Sequence, residues 1–378
     1  PPPALVPPPD LTPQCRKQSD CAAGLGCVQG QCAPCAFHSD CDESQLCDVY
    51  LPQAGDGAGR CVAATSVIYV DNTPATCPAA DGTLATPYCT LSDAVTQVGA
   101  KTIIKLAASG KDYGGLTAAQ LMNKTLSIFG PAGGTDGKAI ATLGQGASDA
   151  ITIANGTDLT LDGIELRSGG ARAIVGTVAG AQITLRRSRI SSFAGTAIEV
   201  SRGSVNLDRV YITGNLAGVA NLGINSRYAI TNSIIYDNRI PSNSAAFVFS
   251  AASTGTFRYN TVVGNTRVNS ANLEAGIDCG SVAQLEDSIV LDNNLFATVD
   301  GLTQFRNGCK LKNVVVGNDI VMGGITQRPD FESQSDLRLR ETAASRACCI
   351  DKGTGPDTVD FFGSARKTTP DVGAHELR

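Results

Sequence analysis

Two apolar columns run through the middle of this chain at a fixed phase. They emerge when seven segments are aligned: 159–169, 183–193, 205–215, 228–238, 255–265, 283–293 and 309–319. The third positions are Leu161, Leu185, Leu207, Ile230, Phe257, Leu285 and Leu311, spaced by 24, 22, 23, 27, 28 and 26 residues. Five positions later stand Leu166, Ile190, Ile212, Ile235, Val262, Val290 and Val316. A repeat of this length marks stacked units, none of which can bury its apolar face alone. Helical periodicity is absent from the units, and β-branched residues and turn formers dominate them. Each unit is too short for a propeller blade. The pattern predicts an all-β chain wound as a parallel β-helix.

Other columns follow from the same alignment. Asn215, Asn238, Asn265 and Asn293 recur eight positions after the core residue, with Asp319 closing the series. Stacked asparagines can hydrogen-bond from rung to rung, so they are read as a structural ladder. The position after the core residue holds Asp162, Arg186, Asp208, Thr231, Arg258, Glu286 and Lys312. Neighbouring rungs lie ~4.8 Å apart, so this column reads as a surface charge ladder rather than a catalytic cluster. In the later units the outward positions turn apolar: Ile234, Tyr236, Val263, Ile289, Leu291 and Val315. An outer apolar stripe is read as a candidate protein–protein interface. A one-residue register shift, or the segments 239–254, 266–282 and 294–308 folding over the stripe, would also account for it.

Outside the repeats, cysteine sets the terms. Eight of the 14 cysteines fall within residues 15–61. Cys15, Cys21, Cys27 and Cys32 are followed by Cys35, Cys41, Cys47 and Cys61, the first three of each set offset by 20 residues, with Ser19-Asp20 and Ser39-Asp40 repeating too. Zinc would call for paired Cys-x2-Cys spacing, which occurs only at Cys32/Cys35. The region is read as a duplicated disulfide module of undetermined connectivity, in an oxidising compartment. Residues 1–14 hold seven of the 17 prolines and favour an extended arm. We expect that arm to dock on its own chain or on a neighbour. The expected layout is a proline-rich arm (1–14), a cysteine-rich domain (15–62), a β-helix (63–335) and a closing segment (336–378).

Charge and composition narrow the partners. A net charge of −5 gives no electrostatic case for nucleic acid. No apolar run reaches the ~18 residues of a membrane helix. The chain opens on Pro1, which we read as the mark of a removed signal peptide, giving an extracellular or cell-surface location.

Residues 68–115 carry a resemblance. Tyr69-Val70-Asp71, Asp81-Gly82-Thr83, Thr86-Pro87-Tyr88, Thr90-Leu91, Ala94-Val95 and Tyr113-Gly114-Gly115 resemble the opening of secreted bacterial right-handed parallel β-helix proteins of the pectin-lyase-like superfamily. Asp371-Val372-Gly373-Ala374-His375-Glu376 is similar to the D-x-G-A-x-E ending of many of them. The resemblance implies a helix over 91–98 capping the open coil, suited by Leu91, Ala94, Val95 and Val98 on one face. It goes with a local Cys77–Cys89 bridge. Cys348 and Cys349 are adjacent, so we expect them to bridge to Cys279 and Cys309.

The superfamily holds lyases, hydrolases and adhesins, so the resemblance does not fix activity. The chain has no Asp-Asp pair, and neither histidine, His38 or His375, lies in the repeats. The N-T-D and G-H-G motifs of polygalacturonases are missing. A lyase base would have to come from an arginine such as Arg227, Arg258 or Arg267. No catalytic, cofactor-binding or metal residue is assigned. We read the chain as a non-enzymatic structural or adhesive protein, serving in surface attachment or self-assembly, with a fibre subunit as one form. Its expected partners are copies of itself or a cell-surface component such as a polysaccharide. The alternative is a polysaccharide lyase or glycoside hydrolase acting on acidic glycans.

Overall fold

A computed structural model describes residues 14–377, with interruptions at 29, 36–39, 43–44, 49–59, 64–66, 75–79, 84, 100–102, 108, 131–140, 145, 147–148, 169, 241–244, 268–275, 281–282, 294–303, 307, 317–323, 356–358 and 363. The arm over 1–13, Cys77 and Asp319 therefore lie outside the described residues. The chain forms two compact units, Pro1–Val67 and Ile68–Arg378.

The first unit repeats itself in structure as in sequence. Each module supplies one antiparallel hairpin, Gly26–Val28 with Gln31–Ala33 and Gln45–Asp48 with Arg60–Ala63. The third and fourth cysteines face each other across both hairpins, Cys27 opposite Cys32 and Cys47 opposite Cys61. Cys27 and Cys32 do not bond each other. Cys15 joins Cys27 and Cys21 joins Cys32, and Cys41 joins Cys61, so the second module repeats the second-to-fourth bridge of the first. Cys35 is also disulfide-bonded. The first Ser-Asp-Cys has a local purpose. Asp20 accepts hydrogen bonds from the backbone N–H groups of Arg16 and Lys17, and these hold its carboxyl below the usual range.

The second unit is a parallel β-helix with three walls. Among the described residues they are sheets of ten, nine and seven strands, each strand pairing with its counterpart one coil away. The predicted register is the observed one: Leu161 pairs with Leu185, then Leu207, Ile230, Phe257, Leu285 and Leu311 along the first wall. Leu166, Ile190, Ile212, Ile235, Val262 and Val290 pair along the second. Both columns are buried in one continuous core, except that Leu311 at the end of the first is partly buried against it.

The corner between these walls is set by backbone handedness. Two positions after each core residue, φ is positive at Gly163, Arg187, Arg209, Asn232, Tyr259, Asp287 and Asn313. A left-handed residue costs a non-glycine side chain about 1–2 kcal/mol, yet only one of the seven is glycine. The side chains at this corner are needed for contacts described below. A second left-handed column follows at Ser192, Gly214, Asp237, Gly264 and Asp292.

Next to that second corner the asparagine ladder is fully buried. Asn215 donates to Asn238, Asn238 to Asn265 and Asn265 to Asn293, at 2.7–2.8 Å. Asn293 donates to Gln304 at 2.9 Å, so this amide receives the last described bond of the ladder. Each Oδ1 also accepts a backbone N–H from the coil before it. The ladder thus satisfies backbone groups where the chain bends out of its sheets.

The N-terminal end is closed. Helix α1 (Leu91–Gln97), capped by Thr90, buries Leu91, Ala94 and Val95 against the core. Segment 82–88 bonds along the edge of the first strand, Val67–Val70, through Tyr69, Asp71 and Tyr88. The Tyr113 hydroxyl, from the Y-x-G turn, donates to the Ala107 carbonyl at 2.8 Å.

Replacing Asn238 by alanine removes the acceptor of two Asn215 groups, its backbone N–H and its side-chain amide, and the donor to Ile212 O, Tyr236 O and Asn265 Oδ1, at about 1–3 kcal/mol for each buried group left unsatisfied. The expected outcome is a fall in the solenoid's unfolding temperature much larger than for alanine at exposed Asn221, read by calorimetry.

Candidate functional site

The apolar stripe points outward as the sequence implies, but it is not an open interface. Ile234, Val263, Ile289, Leu291 and Val315 are buried in a second core, separate from the solenoid interior. Tyr236 packs on its margin. Their partners are Leu337, Leu339, Cys348, Cys349, Phe361, Val372 and Ala374. The cover is the C-terminal segment. The register is the predicted one, so no shift is needed to bury the stripe. The outward positions of the second wall change character where the cover begins. Before it they read Glu165, Arg189 and Arg167, Ser191, Thr213; Tyr211 packs at its margin beside Phe361, and under it they read Ile234, Thr261, Ile289, Val315 and Tyr236, Val263, Leu291.

The expected cysteine pairing is corrected here. Cys279 bonds to Cys309, and Cys348 bonds to its neighbour Cys349. Cys279 sits in the inner core, whereas Cys348 and Cys349 lie in the outer one. A wall of coil separates the two pairs. Cys348 closes the short helix α2 (Ala343–Cys348), whose Thr342 cap accepts from Ser345 N–H. Cys89 is disulfide-bonded too.

Polar contacts latch this cover to the left-handed corner. Arg366, fully buried, donates to Asn232 Oδ1 at 2.9 Å, pairs with the buried Glu376 at 3.4 Å and lies 4.2 Å over the Tyr259 ring. The Tyr259 hydroxyl donates to the Gly355 carbonyl at 2.9 Å. Asp287 accepts from Thr354 N–H at 3.0 Å and from Arg258 at 2.7 Å. Three successive corner residues, Asn232, Tyr259 and Asp287, therefore hold one strap.

The D-x-G-A-x-E ending is the strap's own frame. Glu376 accepts from Asp371 N–H, and Asp371 accepts from Asp351 and Leu377 N–H. Gly373, at φ +94°, donates to the Asp287 carbonyl, and a Cβ there would stand 2.7 Å from Ile289 Cδ1. Ala374 N–H bonds to Thr261 Oγ1 at 3.0 Å. His375 Nδ1 accepts from Leu339 N–H at 3.1 Å, and burial pushes the imidazole down so that it stays neutral. Burial pushes the Asp371 carboxyl up.

The remaining candidates disperse. Of the three arginines, Arg258 is held by Asp287 and by Glu286 at 3.6 Å, Arg227 is exposed on the first wall, and the Arg267 side chain lies outside the described residues. The charge ladder keeps its predicted register, and Glu286 pairs with Arg258 and Lys312 along it. Asp162, however, holds Arg187, and Asp208 holds Arg209 at 2.9 Å. Both arginines come from the left-handed corner, one residue beyond the ladder position. Tyr211, Tyr236 and Tyr259 form no common platform, Tyr259 being buried in the latch. Among the described residues, the groups of metal-ligand type that lie close enough to share an ion are cysteines 15, 21, 32 and 35, 41, 61, which the disulfides occupy. None of the described helices is long and apolar enough to cross a membrane.

Residues 145–327 match the family described as the right handed beta helix region. This agrees with the parallel register and defines the solenoid as a right-handed parallel β-helix. A search of curated proteins finds no match. Among solved structures, the chain is similar to that titled "Crystal structure of pectate lyase Pel9A", at 12% identity, covering 82% of this chain and 96% of that one with a TM-score of 0.37.

Two outcomes follow from the latch. Arg366→Ala leaves Glu376 buried without its partner, a loss of about 3–5 kcal/mol. Denaturant unfolding should show that loss, with increased binding of a hydrophobic dye as the stripe opens. His375 binds its proton less readily folded than unfolded, so its contribution is complete above its ordinary value of about 6.5 and is lost as pH falls below it. Asp371 acts in the opposite sense and at lower pH. In His375→Asn, the decline of unfolding temperature between about pH 7.5 and 5.5 should be shallower than in the parent.

Proposed function

We propose that this protein is a non-enzymatic extracellular scaffold, a disulfide-stapled head joined to a rigid β-helix that serves in surface attachment. The observation that carries this reading is where the charged groups are used. Asp162 holds Arg187, Asp287 holds Arg258, Glu376 holds Arg366, and neutral His375 accepts a backbone N–H. A carboxylate that must act as general acid or base needs hydrogen-bond reach to a substrate proton. These carboxylates are instead committed to fastening coil to coil and strap to coil. The disulfides of the head and of the solenoid fit an oxidising compartment outside the cell.

The competing reading is a lyase on acidic glycans, with a calcium ion to bind the uronate and an arginine as base. Incubation with polygalacturonate, with and without added calcium, tests both. The expected result is no unsaturated product under either condition. Product that vanishes in Arg227→Ala or Arg267→Ala would overturn the proposal in favour of a lyase.

A further inference from the structure

The C-terminal strap is fastened to the coils without a disulfide. Cys348 and Cys349 are the only cysteines after Cys309, and they bond to each other. Cys279 and Cys309 bond within the coil stack. Each core therefore carries its own bridge, and none crosses from strap to coil. A bridge between neighbours in sequence closes almost no loop, so it fastens nothing distant.

The strap also satisfies its own buried acids. Asp360 accepts from Ser364 N–H at 2.6 Å and from Glu376 N–H at 2.9 Å, one on each oxygen. The two oxygens of Asp371 take the N–H groups of Asp351 and Leu377. Glu376 accepts from Asp371 N–H and from Arg366. All of these donors belong to the strap. Bridges between Phe331 and Leu339 and between Val359 and Ala365, with helix α2, complete its frame. Lifting the strap breaks none of these bonds. It breaks the apolar contact with the stripe and the latch at Asn232, Tyr259 and Asp287. At its near end the strap follows the last paired strand, Gly324–Ile325, through Thr326, Gln327 and Arg328, all exposed. Such a tether can redirect the strap without disturbing either core.

We infer that the strap is exchangeable between copies: the strap of one chain docks on the apolar stripe of a second, and the second chain's strap docks on the first. The stripe already has a surface fitted to it, the strap's Leu337, Leu339, Phe361, Val372 and Ala374. Every copy carries both halves. The pair remakes each contact of the closed chain, Arg366 of one copy meeting Asn232 of the other, so exchange costs little beyond the entropy of association. The contact is reciprocal, which makes the pair two-fold symmetric and closes it at two chains. A short tether gives a chain's own strap a high effective concentration. The closed monomer therefore prevails when dilute, and the exchanged pair forms when chains fold together at high concentration. The inference goes beyond surface attachment and does not depend on it.

Complementation between two full-length variants tests it. Gly373→Leu spoils the strap, since a Cβ there stands 2.7 Å from Ile289 Cδ1 at a φ of +94°. Ile289→Asp spoils the stripe and leaves the strap intact. Circular dichroism checks that each variant keeps its coils. Mixed in equal amounts, they are expected to form a particle of twice the monomer mass by light scattering, with a fall in hydrophobic-dye binding. Adding Gly373→Leu to the Ile289→Asp chain should abolish that particle. A mixture that stays monomeric overturns the inference, and so does a dimer that survives the added substitution. Should either variant lose its coils, the native chain decides. Unfolded with its disulfides intact and refolded at rising concentration, it is expected to yield a dimer that outlasts dilution, because the straps must lift before the chains part. Monomer at every concentration overturns exchange, as does a dimer that falls apart at once on dilution.

Discussion

One residue per coil, held in the left-handed region, turns the chain from its first wall to its second. Seven such residues stack from Gly163 to Asn313. Because the turn is the same in every coil, the walls keep their register and the two inner columns stay aligned. The corner also aims its side chains away from the interior. Arg187 and Arg209 reach carboxylates on the first wall. Asn232, Tyr259 and Asp287 reach the C-terminal strap. The conformational cost of a bulky left-handed residue is offset by a contact that glycine cannot make. Tyr259 shows this plainly, its ring lying near two guanidinium groups and its hydroxyl on a carbonyl.

Among its described residues the second unit has two cores back to back, sharing the second wall. Leu166, Ile190, Ile212, Ile235, Val262 and Val290 face the solenoid interior, and the outward residues between them face the strap from the fourth coil onward. A strand with both faces buried reads as a continuous apolar run, which is why Ile234-Ile235 and Ile289-Val290-Leu291 stand out. The earlier coils, with one face open, alternate. The change from Tyr211 to Ile234 at one outward position is thus a boundary written in composition.

This explains what could be read from the chain unaided. Leu161 through Leu311, the asparagine ladder and the duplicated cysteines are local or periodic, and a fixed offset suffices to find them. The strap is neither. Arg366 meets Asn232 across 134 residues, and nothing periodic links them. The stripe was legible as apolar and outward, but its cover was not. Cysteine pairing failed for a related reason. Adjacency made a Cys348–Cys349 bond look unfavourable, yet the second wall separates this pair from Cys279 and Cys309. Phe361 and Phe362 lie in the same non-repeating segment and carry no columnar signal either.

The placement of the strap in the chain has a bearing on biosynthesis. It lies C-terminal to all the coils it covers, and its last apolar contact is Ala374. Domains begin to fold from the N-terminal side as the chain is made. The coils can therefore wind and seal their inner core while Ile234, Val263, Ile289, Leu291 and Val315 still face water. During that interval the nascent rod carries a sticky flank that the finished one lacks. That flank stays exposed until residues 337–374 have been added to the chain.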